Sequence, residues 1–340
     1  MNINVIDELS KLGNMVNPIM EKYLRRNADE EFTEAILYQI RTGGKRIRPA
    51  LTLASAGASG GSIEDALPAA AAIELVHNYS LIIDDIIDHS ELRRGRPTLW
   101  KKYGLSTALL VAIHYRESAA EALNDTKDPV RFSEIMAWTV KMITDGERLD
   151  ILFEQAGREN EPYVVKRRFG NVTLKMYLDM VYKKTGSLIE TACLFGALSA
   201  NAEEELVASL TNYGRAIGVA FQIGDDIIDL FGSEERTGKT VGGDIMEHKL
   251  GNIVITLALE ELKGNIREKL LNTLRSSDIN KEKIKEAIEI ISSYSKAKER
   301  AEKLRKKYVS DALKSLNLIR DSKYKDLLIG LAKFIETRDY

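Results

Sequence analysis

Two short stretches, SLIIDDIIDHS and QIGDDIIDLFG, place aspartates at Asp84, Asp85 and Asp88 and again at Asp225, Asp226 and Asp229. On a helix the first and last of each trio lie one turn apart on a single face. Isoleucines surround them, and three like charges in an apolar setting are unfavourable unless cations or ligands offset them. Oxygen-only donors, with no nearby cysteine and no convincing pair of histidines, suit a hard divalent ion such as Mg²⁺. Ions held this way bridge to phosphate oxygens that bare aspartates would repel, so the implied chemistry is diphosphate binding. One such trio reads equally well as a solvated helix end or cap; two in the same setting favour the metal reading.

Basic residues supply the other half of the pattern. GGKRIRP, residues 43–49, gathers Lys45, Arg46 and Arg48, and ELRRGRP, residues 91–97, gathers Arg93, Arg94 and Arg96 just beyond the first acidic trio. Arginine binds phosphate through a planar fork and lysine as a compact charge. Either patch alone could be a solvated turn. In YKKTGSLIE, Lys184 and Thr185 precede Gly186, a residue that weakens a helix, and the threonine hydroxyl can bind a nearby group. Lys239 and Lys249 follow the second trio and could face a bound diphosphate, with an ordinary surface role as the alternative for Lys249.

The elements that must carry these groups read as helices. All six prolines fall at or before Pro162, leaving 178 residues without the strongest helix breaker. From Gly60 to Ser90 the chain offers a possible Ser62 cap, Glu64 near the first turn, and then alanines and leucines, with the secure helix beginning near Pro68. Further helical windows are roughly 104–122, 130–156, 168–198, 204–232 and 252–263, several apolar around their circumference as enclosed helices are. The stretch KEKIKEAIEIISSYSKAKERAEKLRKKYVSDALKSL, with Ile284, Ile288, Ile291 and Tyr294, reads as amphipathic helix. No run of alternating strands, repeat or low-complexity linker is evident, so the expectation is an all-α chain forming one domain over residues 1–340.

Composition narrows the function class. Apolar residues are 44% and charged residues 29%, the balance of a globular protein, and 49 basic against 51 acidic side chains give no general affinity for nucleic acid. The single cysteine, Cys193, reads as a small buried hydrophobe and can form no intramolecular disulfide, which favours a reducing compartment. The opening MNINVIDELSKLGN has no long apolar region, and no segment approaches ~20 apolar positions, so no transmembrane segment and a cytoplasmic location are expected.

Taken together, GGKRIRP, LVHNYSLIIDDIIDHSELRRGRPT, KKTGSLIE and FQIGDDIIDLFGSEERTGKTVGGD resemble the trans-isoprenyl diphosphate synthases, or polyprenyl synthetases, over about residues 15–330. The resemblance implies an all-helical isoprenoid synthase fold around a deep cavity, a homodimer, and two acidic trios facing across the cavity mouth. It implies that Asp84, Asp85, Asp88, Asp225, Asp226 and Asp229 organise three Mg²⁺ ions around an allylic diphosphate, with Arg93, Lys184, Lys239 and Lys249 contacting that substrate. Lys45, Arg48, His77 and Arg94 would bind isopentenyl diphosphate, and Thr185 and Gln222 would lie near the reacting carbons. Departure of diphosphate would leave an allylic cation, which the isopentenyl double bond attacks; the departing diphosphate then takes the proton, so no histidine base is required.

Product length would be set by a wall beside the first trio. Tyr79 and Ser80 precede Asp84 by five and four positions, roughly 6 to 8 Å along the helix, with Val76 one turn deeper. A bulky residue at position 79 followed by a small one at position 80 resembles the pattern of a C20-forming enzyme, extending farnesyl to geranylgeranyl diphosphate, with C15 or C25 synthesis as the neighbouring possibilities. A terpene cyclase would not need the second diphosphate pocket, and a noncatalytic partner subunit would not need both trios. Three departures from the family pattern stand out: LSTALLVAIHYRESA with His114, Tyr115 and Arg116 after KKYG, Glu147 in DGERLD where glutamine is common, and MEHKLGNIVI.

Overall fold

The computed structural model describes residues 2–233 and 241–338. Its described residues are helices joined by turns, apart from the hairpin of Leu92–Arg93 against Arg96–Pro97 and an isolated bridge between Glu154 and Lys249. The fold is therefore all-α, as expected, and no described helix is long and apolar enough to cross a membrane. The chain divides into two compact units, one comprising Met1–Lys141, Leu188–Gly214 and Ser315–Leu331, the other Met142–Ser187, Arg215–Lys314 and Ala332–Tyr340.

In the first unit the central element is the Leu67–Ile87 helix. Pro68 presets its first turn, and Ala69, Ala70, Ala71 and Ala72 are good helix formers small enough to let neighbours approach. All four are fully buried, as are Ile73, Leu75 and Val76, against the helices Leu105–Asn124, Ile47–Ala58 and Asn17–Arg25. Ser62 does not cap this helix: its hydroxyl accepts from the Glu64 N–H at 3.1 Å within the preceding turn, and the helix starts five residues later. Contacts within the unit account for two of the three side chains of the HYR departure. Tyr115 fills the core with its hydroxyl donating to the Ile36 carbonyl at 2.7 Å and accepting from the Ile40 N–H at 3.3 Å, and His114 Nε2 meets the Leu24 carbonyl at 2.8 Å. These side chains tie the Leu105–Asn124 helix to its neighbours in the unit. Cys193 is buried here, which pushes its thiol up to about 12.

The second unit has its own apolar core, in which Tyr177, Ile223, Ile227, Leu230, Ile253 and Leu257 are buried together. Every residue from Ile253 to Leu259 in the Ile253–Glu261 helix is buried, as an enclosed helix requires. Two readings of helix continuity are corrected where helices run through this unit. The window 168–198 is interrupted: the helix Leu174–Val181 opens into a π-helical turn at Tyr182–Gly186 before the helix Ser187–Ser199 resumes. The amphipathic stretch is also broken, into Lys281–Tyr294 and Ala297–Ser315, because extended Ser295 places its hydroxyl to donate to the Ile291 carbonyl at 2.7 Å and accept from the Ala297 N–H at 3.4 Å. Ile284 and Ile291 are buried as the periodicity predicts, whereas Tyr294 is 61% exposed.

Candidate active site

Both acidic trios lie at the C-terminal ends of helices. Asp84 and Asp85 occupy the last turn of Leu67–Ile87 with Asp88 as its C-cap, and Asp225, Asp226 and Asp229 occupy the last two turns of Glu204–Phe231. That end carries the negative pole of the helix dipole, so each trio adds anionic charge where the backbone already disfavours it. A cation offsets both terms at once.

In the first unit Asp85 is 1% exposed; Arg93 Nε donates to its Oδ1 at 2.7 Å, while its Oδ2 is buried with no hydrogen-bond partner among the described residues. Burial raises its pKa above the usual carboxylate value, with Arg93 opposing. An orphaned, buried carboxylate oxygen beside two further aspartates fits a divalent cation. Arg93 reaches this position from the hairpin, whose turn residues Arg94 and Gly95 both have positive φ, 54° and 73°.

Arg94 turns to the GGK loop, where its guanidinium donates to the Gly43 carbonyl. A Cβ on Gly44, whose φ is 135°, would lie 2.9 Å from that guanidinium, which would have to shift to admit it. One helix over, Arg48 Nη1 stands 3.1 Å from His77 Nε2. Because guanidinium only donates, Nε2 accepts and the imidazole proton is on Nδ1. Burial, then Arg48, Arg94 and Arg93, holds the His77 pKa well below its ordinary value, so a neutral ring stands among these cations. Lys45 is exposed on the same loop. Arg46 is not part of this group. It is 6% exposed and paired with buried Glu74 at 2.8 Å, with Asn17 Oδ1 at 3.1 Å and the Ile40 carbonyl at 2.8 Å completing its shell. On the central helix Val76 is fully buried and Tyr79 and Ser80 are partly buried, the Ser80 hydroxyl donating to the His77 carbonyl at 2.9 Å.

In the second unit the π-helical turn aims Lys184 and Thr185. Gly146, in the Pro129–Leu152 helix, lets the turn approach so closely that a Cβ there would lie 2.3 Å from the Lys184 nitrogen. Lys184 Nζ then sits 2.7 Å from Asp150 Oδ2 and 2.7 Å from Glu147 Oε2. Lys249 Nζ is 3.3 Å from the same Asp150 oxygen and 2.7 Å from Glu247. Burial alone would raise Asp150, but the two lysines hold it well below the carboxylate range. The Thr185 hydroxyl donates to Gln222 Oε1 at 3.0 Å, which turns Gln222 Nε2 toward Asp226 Oδ1 at 2.8 Å. Tyr177 and the Ile253 N–H donate to Asp226 Oδ2 at 2.7 and 2.9 Å. Burial, then Asp244, raises Asp226 well above the usual value against those hydrogen bonds.

The remaining acids have partners too. Asp225 pairs with Arg338 at 2.7 Å, and Asp229 Oδ2 accepts from the Asp244 N–H at 3.0 Å. Asp150, Lys184, Thr185, Gln222, Asp244 and Lys249 line a polar cavity of about 90 Å³. Lys239 lies outside the described residues. Among the described residues no group of three or more His, Cys, Asp or Glu side chains is placed to hold a metal ion unaided.

Sequence reasoning did not single out Asp150, Asp244, Tyr177 or Arg338. Asp150 stood one helical turn beyond Glu147 in DGERLD, and Asp244 closed the quoted motif ending in GGD; Tyr177 and Arg338 carried no local signal.

A family model described as Polyprenyl synthetase matches residues 29–291. The chain is 35% identical over 341 residues to the short chain isoprenyl diphosphate synthase of Methanothermobacter thermautotrophicus, covering 99% of this chain and 100% of that one. It is 33% identical over 344 residues to the geranylgeranyl diphosphate synthase of Methanosarcina mazei, with all of both chains covered. In structure it is similar to geranylgeranyl pyrophosphate synthetase from Pyrococcus horikoshii, with a TM-score of 0.88, 29% identity and 98% of each chain covered.

Proposed function

We propose, from the premise that the chain belongs to the polyprenyl synthetase family of head-to-tail trans-prenyltransferases, that it extends farnesyl diphosphate with isopentenyl diphosphate to the C20 product. The observation that carries the chemistry is the location of both trios at the negative ends of helices, with Asp85 Oδ2 buried and unpartnered. Mg²⁺ held by Asp84, Asp85, Asp88, Asp225 and Asp229 would neutralise the departing diphosphate. Asp226, whose two oxygens are taken up by Gln222, Tyr177 and the Ile253 N–H, fixes the second trio from behind.

The chain's own groups do the rest. Arg93, Lys184 and Lys249 bind the allylic diphosphate, and Arg48, Arg94, Lys45 and neutral His77 bind isopentenyl diphosphate. Thr185 and Gln222, already locked by their mutual hydrogen bond, present oxygen dipoles to the positive charge that develops at the allylic carbon without reorganising. Tyr79, above fully buried Val76, forms the stop.

The homodimer that the family resemblance implies is supported by exposed apolar side chains of the first unit. Leu105, Leu109 and Ile113, at one-turn spacing, are 52%, 42% and 59% exposed, and Val130 and Trp138 are 70% and 47% exposed on the Pro129–Leu152 helix. Large apolar side chains left exposed along a helix are what a contact between copies would cover.

The test is to incubate purified protein with Mg²⁺, farnesyl diphosphate and labelled isopentenyl diphosphate and resolve the dephosphorylated products. C20 alcohol is expected, and dominance of C15 or C25 would overturn the assignment. Tyr79→Ala should lengthen the products; an unchanged distribution removes Tyr79 from the stop.

A further inference from the structure

We propose that Glu147 is a positioning residue that keeps Lys184 charge-matched, so that this cluster of the second unit favours diphosphate complexed with divalent cations over the free anion. The inference deepens, and rests on, the diphosphate reading above. Its starting point is a redundancy. Asp150 already touches both lysines, at 2.7 Å for Lys184 and 3.3 Å for Lys249. Glu147 adds a second carboxylate to Lys184, again at 2.7 Å. A lysine that only had to be aimed would not need both.

The placement of Glu147 is built in. It lies three residues before Asp150 on the Pro129–Leu152 helix, the spacing that puts two side chains on one face. The neighbouring Gly146 admits the Lys184 backbone, which brings the ammonium group directly over that face. Glu147 and Lys184 are 13% and 22% exposed at the side chain, so their attraction is poorly screened. Glu247, which plays the corresponding part for Lys249, is 51% exposed and correspondingly weaker in its field.

Charge then decides which ligand the cavity accepts. Two lysines face three carboxylates, Glu147, Asp150 and Glu247, and Asp226 and Asp244 line the cavity beside Asp150 and both lysines. Among the described residues, a free diphosphate would meet two lysines already matched by three carboxylates, and its hold on Lys184 would compete with two bound carboxylates. Divalent cations arriving with the diphosphate remove that conflict. Glutamine at position 147 keeps the shape and a hydrogen-bonding oxygen but removes one negative charge, so the metal-free anion gains most.

The experiment is isothermal titration of inorganic pyrophosphate into native protein and Glu147→Gln, with chelator or with saturating Mg²⁺. In chelator the variant should bind about tenfold more tightly, about 1.4 kcal/mol; with Mg²⁺ the two should agree within about twofold. Glu147→Ala should move in the same direction, whereas Glu147→Asp, which retains the charge, should track the native protein. Equal shifts with and without Mg²⁺, no shift in either, or weaker metal-free binding would each reduce Glu147 to packing and overturn the inference. Failure of the native protein to bind magnesium pyrophosphate would instead sink the diphosphate reading itself.

Discussion

Replacing Gly146 with alanine tests whether the close approach of two backbones is what aims Lys184. The added Cβ would stand 2.3 Å from the Lys184 nitrogen, 2.7 Å from its Cα and 2.8 Å from the Lys183 carbonyl carbon, all backbone atoms that cannot rotate away. An unstrained contact needs roughly 3.5 Å, so the π-helical turn must retreat by about 1.2 Å. Overpacking of this kind costs about 1–3 kcal/mol, and the better helix propensity of alanine returns about 1 kcal/mol. The net loss of stability is therefore about 0–2 kcal/mol, a fall in Tm of only a few degrees for a chain of this size. Activity should suffer far more, because displacing a substrate-binding group by about 1 Å can lower turnover about 10²-fold. Thermal melting and steady-state turnover with farnesyl and isopentenyl diphosphates would be measured on the same preparation. A variant that keeps its turnover within about threefold of native would refute the claim that this glycine sets the lysine's position.

Other perturbations have equally definite outcomes. Glu74→Ala leaves the Arg46 charge buried with only Asn17 and a carbonyl for company, and should destabilise the fold by about 3–5 kcal/mol in a denaturant titration. His77, whose folded pKa is depressed, takes up a proton in the unfolded chain first. Its contribution to stability is thus intact above about pH 6.5 and lost as pH falls below it, about 1 kcal/mol by pH 5.5. His77→Asn should flatten that part of the pH–stability curve, and an unchanged slope would assign it to other groups.

The helices and the two acidic trios were legible because both depend on local spacing: alanine-rich runs, absent prolines and aspartates one turn apart. What the sequence hid depends on distant partners. Arg46, Arg48 and Arg94 look alike in GGKRIRP and RRGRP, yet Arg46 turns inward because Glu74, twenty-eight residues on, provides a buried counter-charge. The π-helical turn was visible only as a weak glycine; its cause is the pair of close approaches at Gly146 and at Gly218, where a Cβ would lie 2.6 Å from the Gly186 Cα. HYR looked anomalous beside the family pattern, but two of its three side chains bind backbone carbonyls in other helices of the first unit. The interruption at Ser295 was missed because periodicity describes faces and cannot show where a hydroxyl replaces a backbone partner on both sides of a break.

The hairpin that carries Arg93 and Arg94 bears on how this protein can be engineered. A two-residue connection with both φ values positive is the geometry for which asparagine followed by glycine is best suited, and arginine is an uncomfortable occupant of its first position. Thermostabilising redesign guided by backbone preference would choose Arg94→Asn and would gain robustness there. It would also delete the guanidinium seated against Gly44, so a library ranked by heat resistance alone would select against the very side chain that gives this turn its use.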